Sequence, residues 1–346
     1  MKGGNNLQTL NKEQVEKTSK SFLTKASVVE LLKRNYLIIF LLLALLIGAL
    51  ASPFFLTGRN LTNIIVTGVV ISILAVGQFK VIVTRGIDLS VGSIAALGTV
   101  MCAVLLNQGL PVFLVIVLAL ATCGAAGLVN GLVVVYGGIT PFVATFAMLS
   151  IAKGVAYLIQ VGTLIEISNR NFLWIFTGTP LGIPNSVFIA LAVMLISAFV
   201  MKYTTFGRQL YAIGGNPEAA RLSGLPVNRN LVLAYVISGL LAGLAGLTLA
   251  AQLQQGSSLL GQGYELNSIA AAVVGGTSLF GGTGNPIAAV IGGLLIGVIS
   301  NIMNLLGILP EPQLIVLGVV ILIAVFFTGG EGPRRLKNLF KKFRRN

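Results

Sequence analysis

Between Tyr36 and Thr328 the chain is a succession of apolar runs, separated only by short polar or glycine-rich breaks. A helix of roughly 20 apolar residues matches the hydrocarbon thickness of a bilayer at 1.5 Å per residue. Inside lipid, helices satisfy their own backbone groups, so such runs are expected to span as helices. The composition agrees: charged residues make up 9% of the chain, against about 25% in soluble domains. The 42 glycines suit spans that pack backbone to backbone, where lipid offers no hydrophobic drive between helices. The expected class is an all-α polytopic membrane protein with about ten transmembrane helices. The spans read as Tyr36–Phe55, Leu61–Thr84, Val91–Leu106, Pro111–Tyr136, Pro141–Val161, Ser186–Met201, Leu231–Leu253, Ser268–Phe280, Pro286–Leu306 and Gln313–Thr328.

A net charge of +14 would suggest nucleic acid in a soluble chain, but here the charge sits in the tails. Seven Lys/Arg precede the first span (Lys2 to Arg34) and seven follow the last (Arg334 to Arg345). By the positive-inside rule both termini are cytoplasmic and the span count is even. Either tail also suits anionic lipid, and no basic–aromatic interleaving points to nucleic acid. The chain thus divides into a basic tail at 1–35, a transmembrane domain at 36–328 holding a cytoplasmic loop at 203–230, and a basic tail at 329–346. Ser21–Arg34 reads as an interfacial amphipathic helix. A cleavable signal ending near Ala49-Leu50-Ala51 is the competing reading; its leader is long, and cleavage would place the basic C-terminus outside.

The island Tyr203–Asn230 is built to hold one short helix. Asn216 is a good N-cap and Pro217 fits the first helical position, where its missing N–H costs nothing. Glu218 suits the positive end of the helix dipole, and Ala219, Ala220 and Arg221 favour helix. Gly224 takes the left-handed stop, and Pro226 prevents a restart. A capped knob between long spans, on the cytoplasmic side, is a grip for a soluble partner.

An internal repeat is also legible. Gly86-Ile87-Asp88-Leu89-Ser90 with Ser93-Ile94-Ala95-Ala96 resembles Gly263-Tyr264-Glu265-Leu266-Asn267 with Ser268-Ile269-Ala270-Ala271, and Gly127-Leu128-Val129-Asn130-Gly131 resembles Gly293-Leu294-Leu295-Ile296-Gly297. The copies fall five spans apart, so spans two to five form an inverted repeat of spans seven to ten. That is an architecture of alternating-access transporters. Each acid, Asp88 or Glu265, is expected just before a span. It either caps that helix or, with Gly86, Ser90, Gly263 and Asn267, forms a gate on a substrate path. The glycine-rich 275–286 lacks the Gly-Lys-Ser/Thr ending of a P-loop and reads as a tight cytoplasmic turn where backbones approach.

The chain has no histidine, which excludes His-based acid–base catalysis and His metal sites. Cys102 and Cys123 lie in apolar runs and read as packing residues. Lys153 is the main ionisable residue at membrane depth, and a self-driven ion-coupled carrier would carry buried mid-span acids. The reading is therefore a pathway without its own engine, not an enzyme, with no metal or cofactor of its own.

Three blocks carry a family resemblance: Val83-Thr84-Arg85-Gly86-Ile87-Asp88-Leu89-Ser90-Val91-Gly92-Ser93, Ala212–Gly224, and Gly263-Tyr264-Glu265-Leu266 running into Ala271–Leu279, with Asn301–Gly307 fitting too. On these, across residues 36–328, the chain resembles the ribose-type sugar permeases, membrane subunits of bacterial ABC importers. The resemblance implies a second permease copy, a pair of ATPase subunits that bind ATP and Mg, and a periplasmic or lipid-anchored sugar-binding protein. It implies a place in the bacterial cytoplasmic (inner) membrane, and a monosaccharide cargo, with ribose foremost. It also makes Asn216, Pro217, Glu218, Ala219, Ala220, Arg221 and Gly224 the ATPase-coupling loop. A self-contained secondary sugar carrier is the alternative.

The outer loop 162–185, with Glu166, Arg170, Phe172 and Trp174, is a candidate dock for the binding protein or an aromatic belt at the headgroups. Gln78, Asn130, Thr145, Gln252 and Asn304 offer neutral hydrogen bonds along a sugar path, or serve as glue between helices.

Overall fold

The computed structural model describes residues 35–328; both basic tails, and the helix expected at Ser21–Arg34, lie outside them. Among the described residues there are thirteen helices and one two-stranded ladder. In chain order they are α1 Tyr36–Ala51, α2 Gly58–Val83, α3 Val91–Asn107, α4 Val112–Val135, α5 Pro141–Gln160, β1 Ile165–Glu166, α6 Arg170–Thr177, α7 Asn185–Tyr203, α8 Thr205–Gly215, α9 Pro217–Leu222, α10 Val227–Leu253, β2 Gln255–Gly256, α11 Tyr264–Val274, α12 Pro286–Leu305 and α13 Pro310–Thr328. A helix lies at each expected span. Six (α2, α4, α5, α7, α10, α12) are long and apolar enough to cross a membrane by length and composition, and three more (α1, α3 and Pro310–Phe326 of α13) are shorter and apolar.

Helix α2 is buried without a break from Gly68 to Val83, and α10 over most of its second half. By contrast α4, α5 and α7 expose apolar outer faces, with Phe113, Val117, Phe146, Leu158, Leu195 and Phe199 outward. Water penalises such surface and lipid tails do not.

The packing maps onto itself when residues of the two halves are exchanged. Helix α10 packs on α4 as α2 packs on α12, and α10 on α3 as α2 on α11. The pairs α3–α4 and α11–α12 correspond, as do α3–α5 and α11–α13, while α2 and α10 meet each other. Matched glycines sit in matched seams. A Cβ on Gly127 would strike the Tyr235 carbonyl of α10, and one on Gly293 would strike Ser72 of α2. These close approaches are why small residues recur on the packed faces.

Two expectations are corrected. The island holds two helices: α8 precedes the expected knob, with Thr204 Oγ1 accepting from Gly207 N at 3.3 Å and Leu210, Ile213 and Gly214 turned inward. Glycine near both ends of α8 hid it in the sequence. The eighth expected span, Ser268–Phe280, is instead α11, which starts after Gly263 at φ +85° and stops at Gly275-Gly276. Glu265 and Asn267 therefore lie inside its first turn rather than before it.

Candidate translocation and coupling sites

The segment between α2 and α3 is held from every side. Asp88 is fully buried; Ser90 donates to Oδ1 through its N–H (3.0 Å) and hydroxyl (2.6 Å), and Ser238 of α10 donates to Oδ2 at 2.8 Å. Gln78 of α2, its amide oriented to satisfy both groups, donates to the Asp88 carbonyl at 3.0 Å and accepts from the Asp88 N–H at 3.1 Å. Asn130 of α4 donates to Ser90 Oγ at 2.8 Å, and Thr145 of α5 to the Ile87 carbonyl at 3.1 Å. Gly86 lies against the Tyr235 hydroxyl, with no room for a Cβ. Hydrogen bonds to a carboxylate in a low-dielectric site are strong, so the segment is rigid. Gln78, Asn130 and Thr145, read as path candidates, thus hold this break.

The second break reaches the first. After β2, Gln160 of α5 accepts from Ser258 N at 2.7 Å and Thr99 of α3 accepts from Ser257 N at 3.2 Å, drawing these two serines inward. A Cβ on Gly92, in the first turn of α3, would overlap the Glu265 carboxylate and the Gly261 carbonyl. The starts of α3 and α11 therefore meet, one from each half. Glu265 Oε1 accepts from Gly263 N at 3.2 Å, capping its own helix start. Its side chain also lines a cavity of about 120 Å³ with Ser93, Lys153, Ser258 and Gln262. A second cavity, about 140 Å³, lies between α11, α12 and α13 and is bordered by Gly263 and Asn267.

Helices α8 and α9 form the knob. Asn216 Oδ1 accepts from Ala219 N at 3.0 Å, Pro217 opens α9, and Gly224 has φ +75°. Ala220 is buried against Ile213 and Val227, leaving Glu218, Arg221 and Leu222 exposed. The Arg221–Glu218 pair is 3.9 Å apart and largely solvated. The knob is tied to the first break by Arg85, a member of the first family block to which the sequence assigns no role of its own. At φ +68°, Arg85 donates through Nε to the Gly214 carbonyl at 2.6 Å and through a terminal nitrogen to Gly215, at the C-terminal end of α8. That end favours a cation. Beside it Gly282 N donates to the Val83 carbonyl at 2.9 Å, and Tyr211 donates to the Gly284 carbonyl at 2.9 Å. Burial pushes the Tyr211 phenol up, keeping it a donor. The glycine-rich 275–286 is thus a turn where backbones approach, Gly281 and Gly282 lying on Gly214 and Gly215. An isolated Arg just before Gly86 was the available signal for this junction.

Lys80 is buried in α2, with Nζ donating to Ser197 Oγ of α7 at 2.7 Å and to the Val76 carbonyl at 3.3 Å.

In the outer-loop cluster Glu166 pairs with Gln255 in the β1–β2 ladder and is exposed, as are Arg170 and Trp174. Phe172 is not: it is fully buried, 5.1 Å from Phe176 by ring centroids, because α6 is amphipathic and turns that face onto α3 and α10. Gln252 is half-buried near the end of α10, and Asn304 is exposed at the α12–α13 turn, where it accepts from Gln313 at 2.8 Å. Neither reaches the Asp88 or Glu265 cluster.

A helical bundle of two exchangeable halves, with a rigid polar break in each and an exposed helical knob tied to one of them, is the outline of a membrane permease. The family model described as the permease component of branched-chain amino acid transport systems matches residues 60–325. The ribose import permease protein RbsC of Escherichia coli (strain K12) is 39% identical over 312 residues, 89% of this chain and 96% of that protein. The D-allose transport system permease protein AlsC of the same strain is 38% identical over 290 residues, 83% and 89%. The L-arabinose ABC transporter permease protein AraH of Azospirillum brasilense is 32% identical over 303 residues, 88% and 89%. The chain belongs to this family of ABC transporter permeases, among its ribose-type members. No solved structure matches it.

Proposed function

We propose that the chain is the membrane-spanning subunit of an ATP-driven importer of a monosaccharide, ribose first, as relatives named for ribose, allose and arabinose suggest. In this reading ten helices cross the bacterial inner membrane, both tails are cytoplasmic, and the two halves insert with opposite orientation. Two copies pair as a homodimer, ATPase subunits bind ATP and Mg, and a sugar-binding protein docks outside near Arg170 and Trp174. The observation that carries the reading is the exposed α9 knob joined through Arg85 to the Gly86–Ser90 break. A push on α9 by a partner has a rigid route to the start of α3, so hydrolysis elsewhere moves the path here.

Replacing both Glu218 and Arg221 by Ala tests it. A solvated pair at this spacing is worth at most about 0.2–0.5 kcal/mol, so the fold should persist. ATP hydrolysis should then continue with ribose uptake reduced at least about tenfold, measured in proteoliposomes holding the whole importer. Normal uptake would overturn the coupling role.

A further inference from the structure

The cavity where the two breaks meet is lined from both halves. Ser93 comes from the first turn of α3, Lys153 from α5, and Ser258, Gln262 and Glu265 from the second break. Helix α5 faces both breaks along one stripe: Thr145 holds Ile87, Lys153 faces Glu265, and Gln160 holds Ser258. Lys153 and Glu265 share the cavity without closing into an ion pair among the described residues. Its volume of about 120 Å³ is several times the roughly 10–15 Å³ that a single water requires.

The chemistry of the lining selects its occupant. A free cation meets the Lys153 ammonium, and a free anion meets the Glu265 carboxylate, so neither single charge is favoured. A neutral molecule with several hydroxyls suits both: Glu265 accepts, Lys153 donates, and Ser93, Ser258 and Gln262 do either. Leu149 and Leu260 add apolar wall for the C–H face of a sugar ring. We propose that this cavity is a contact site for a neutral polyhydroxyl molecule on the translocation path, with Glu265 and Lys153 as its acceptor and donor poles. The inference rests on the sugar-permease reading and names the place where that cargo touches this chain.

Gln262 is exposed at the cavity mouth, whereas Cys102 and Cys123 are fully buried. In the full-length chain in nanodiscs, a maleimide should therefore label Gln262→Cys selectively. D-Ribose at saturating concentration should slow labelling at least about threefold, and Glu265→Gln or Lys153→Met in the same background should abolish the protection. Unfolding midpoints for the variants establish that they are folded. Equal labelling of Gln262→Cys with and without D-ribose, where Glu265 and Lys153 are retained, overturns the site. So does protection by L-leucine in place of D-ribose, which would mark a zwitterion site. Labelling needs no transport, so the outcomes separate. Protection without D-ribose uptake by the whole importer keeps the site and sinks the importer reading; uptake without protection does the reverse.

Discussion

Arg85 occupies a left-handed backbone conformation, φ +68°, that costs a non-glycine residue about 1–2 kcal/mol. Its two bonds to the Gly214 and Gly215 carbonyls offset that cost, because hydrogen bonds to a charged group contribute about 1.5–3 kcal/mol. Arg85→Gly relieves the strain but loses both bonds, whose combined contribution is the larger, so the unfolding midpoint should fall modestly. The link from knob to break is lost, and ribose moved per ATP hydrolysed should fall about fivefold or more. An unchanged ratio would mean that the push travels elsewhere. At this scale the sequence was only partly legible. It marked Asp88 and Glu265 as paired features because residue type and spacing repeat. It did not say where Gln78, Asn130 and Thr145 point, because an amide or hydroxyl on an apolar helix looks the same whether it faces a path or a neighbouring backbone. Ser238, which completes the Asp88 shell, is one serine among many and carried no signal.

Among elements, the long helices were legible because apolar runs must match a bilayer and proline or glycine ends them. The short ones were less so. Helices α6 and α8 are amphipathic rather than uniformly apolar, so they read as loop, and the inward turn of Phe172 went with that. Element packing can be tested where the seams are tightest. Gly127→Leu in α4 forces a side chain into the Tyr235 backbone, and Gly293→Leu in α12 does the same at Ser72. Overpacking typically costs about 1–3 kcal/mol, so each should lower the unfolding midpoint of the purified protein. Gly154→Leu in α5, where nothing lies within 4 Å, should cost far less. An equal loss at all three positions would refute the seam argument.

For the molecule as a whole, the charge distribution and the repeat lead to one topology. A fluorescent protein fused after Asn346 should fluoresce from the cytoplasm. Alkaline phosphatase fused after Gly178 should be active outside. An active phosphatase at the C-terminus would make the span count odd and undo the placement of the knob. The exchange of packing partners between the halves has a further consequence. If one half tilts against the other, each seam that opens on one side of the bundle has a counterpart that closes on the other, lined by the same kinds of glycine and serine. Were the halves identical, two arrangements related in this way would be equal in free energy. Tipping between populations of 1:99 and 99:1 takes only about 5.5 kcal/mol of differential binding. A bundle built so is a balance, and in the proposed importer the partners at its knob and outer loop would decide which way it leans.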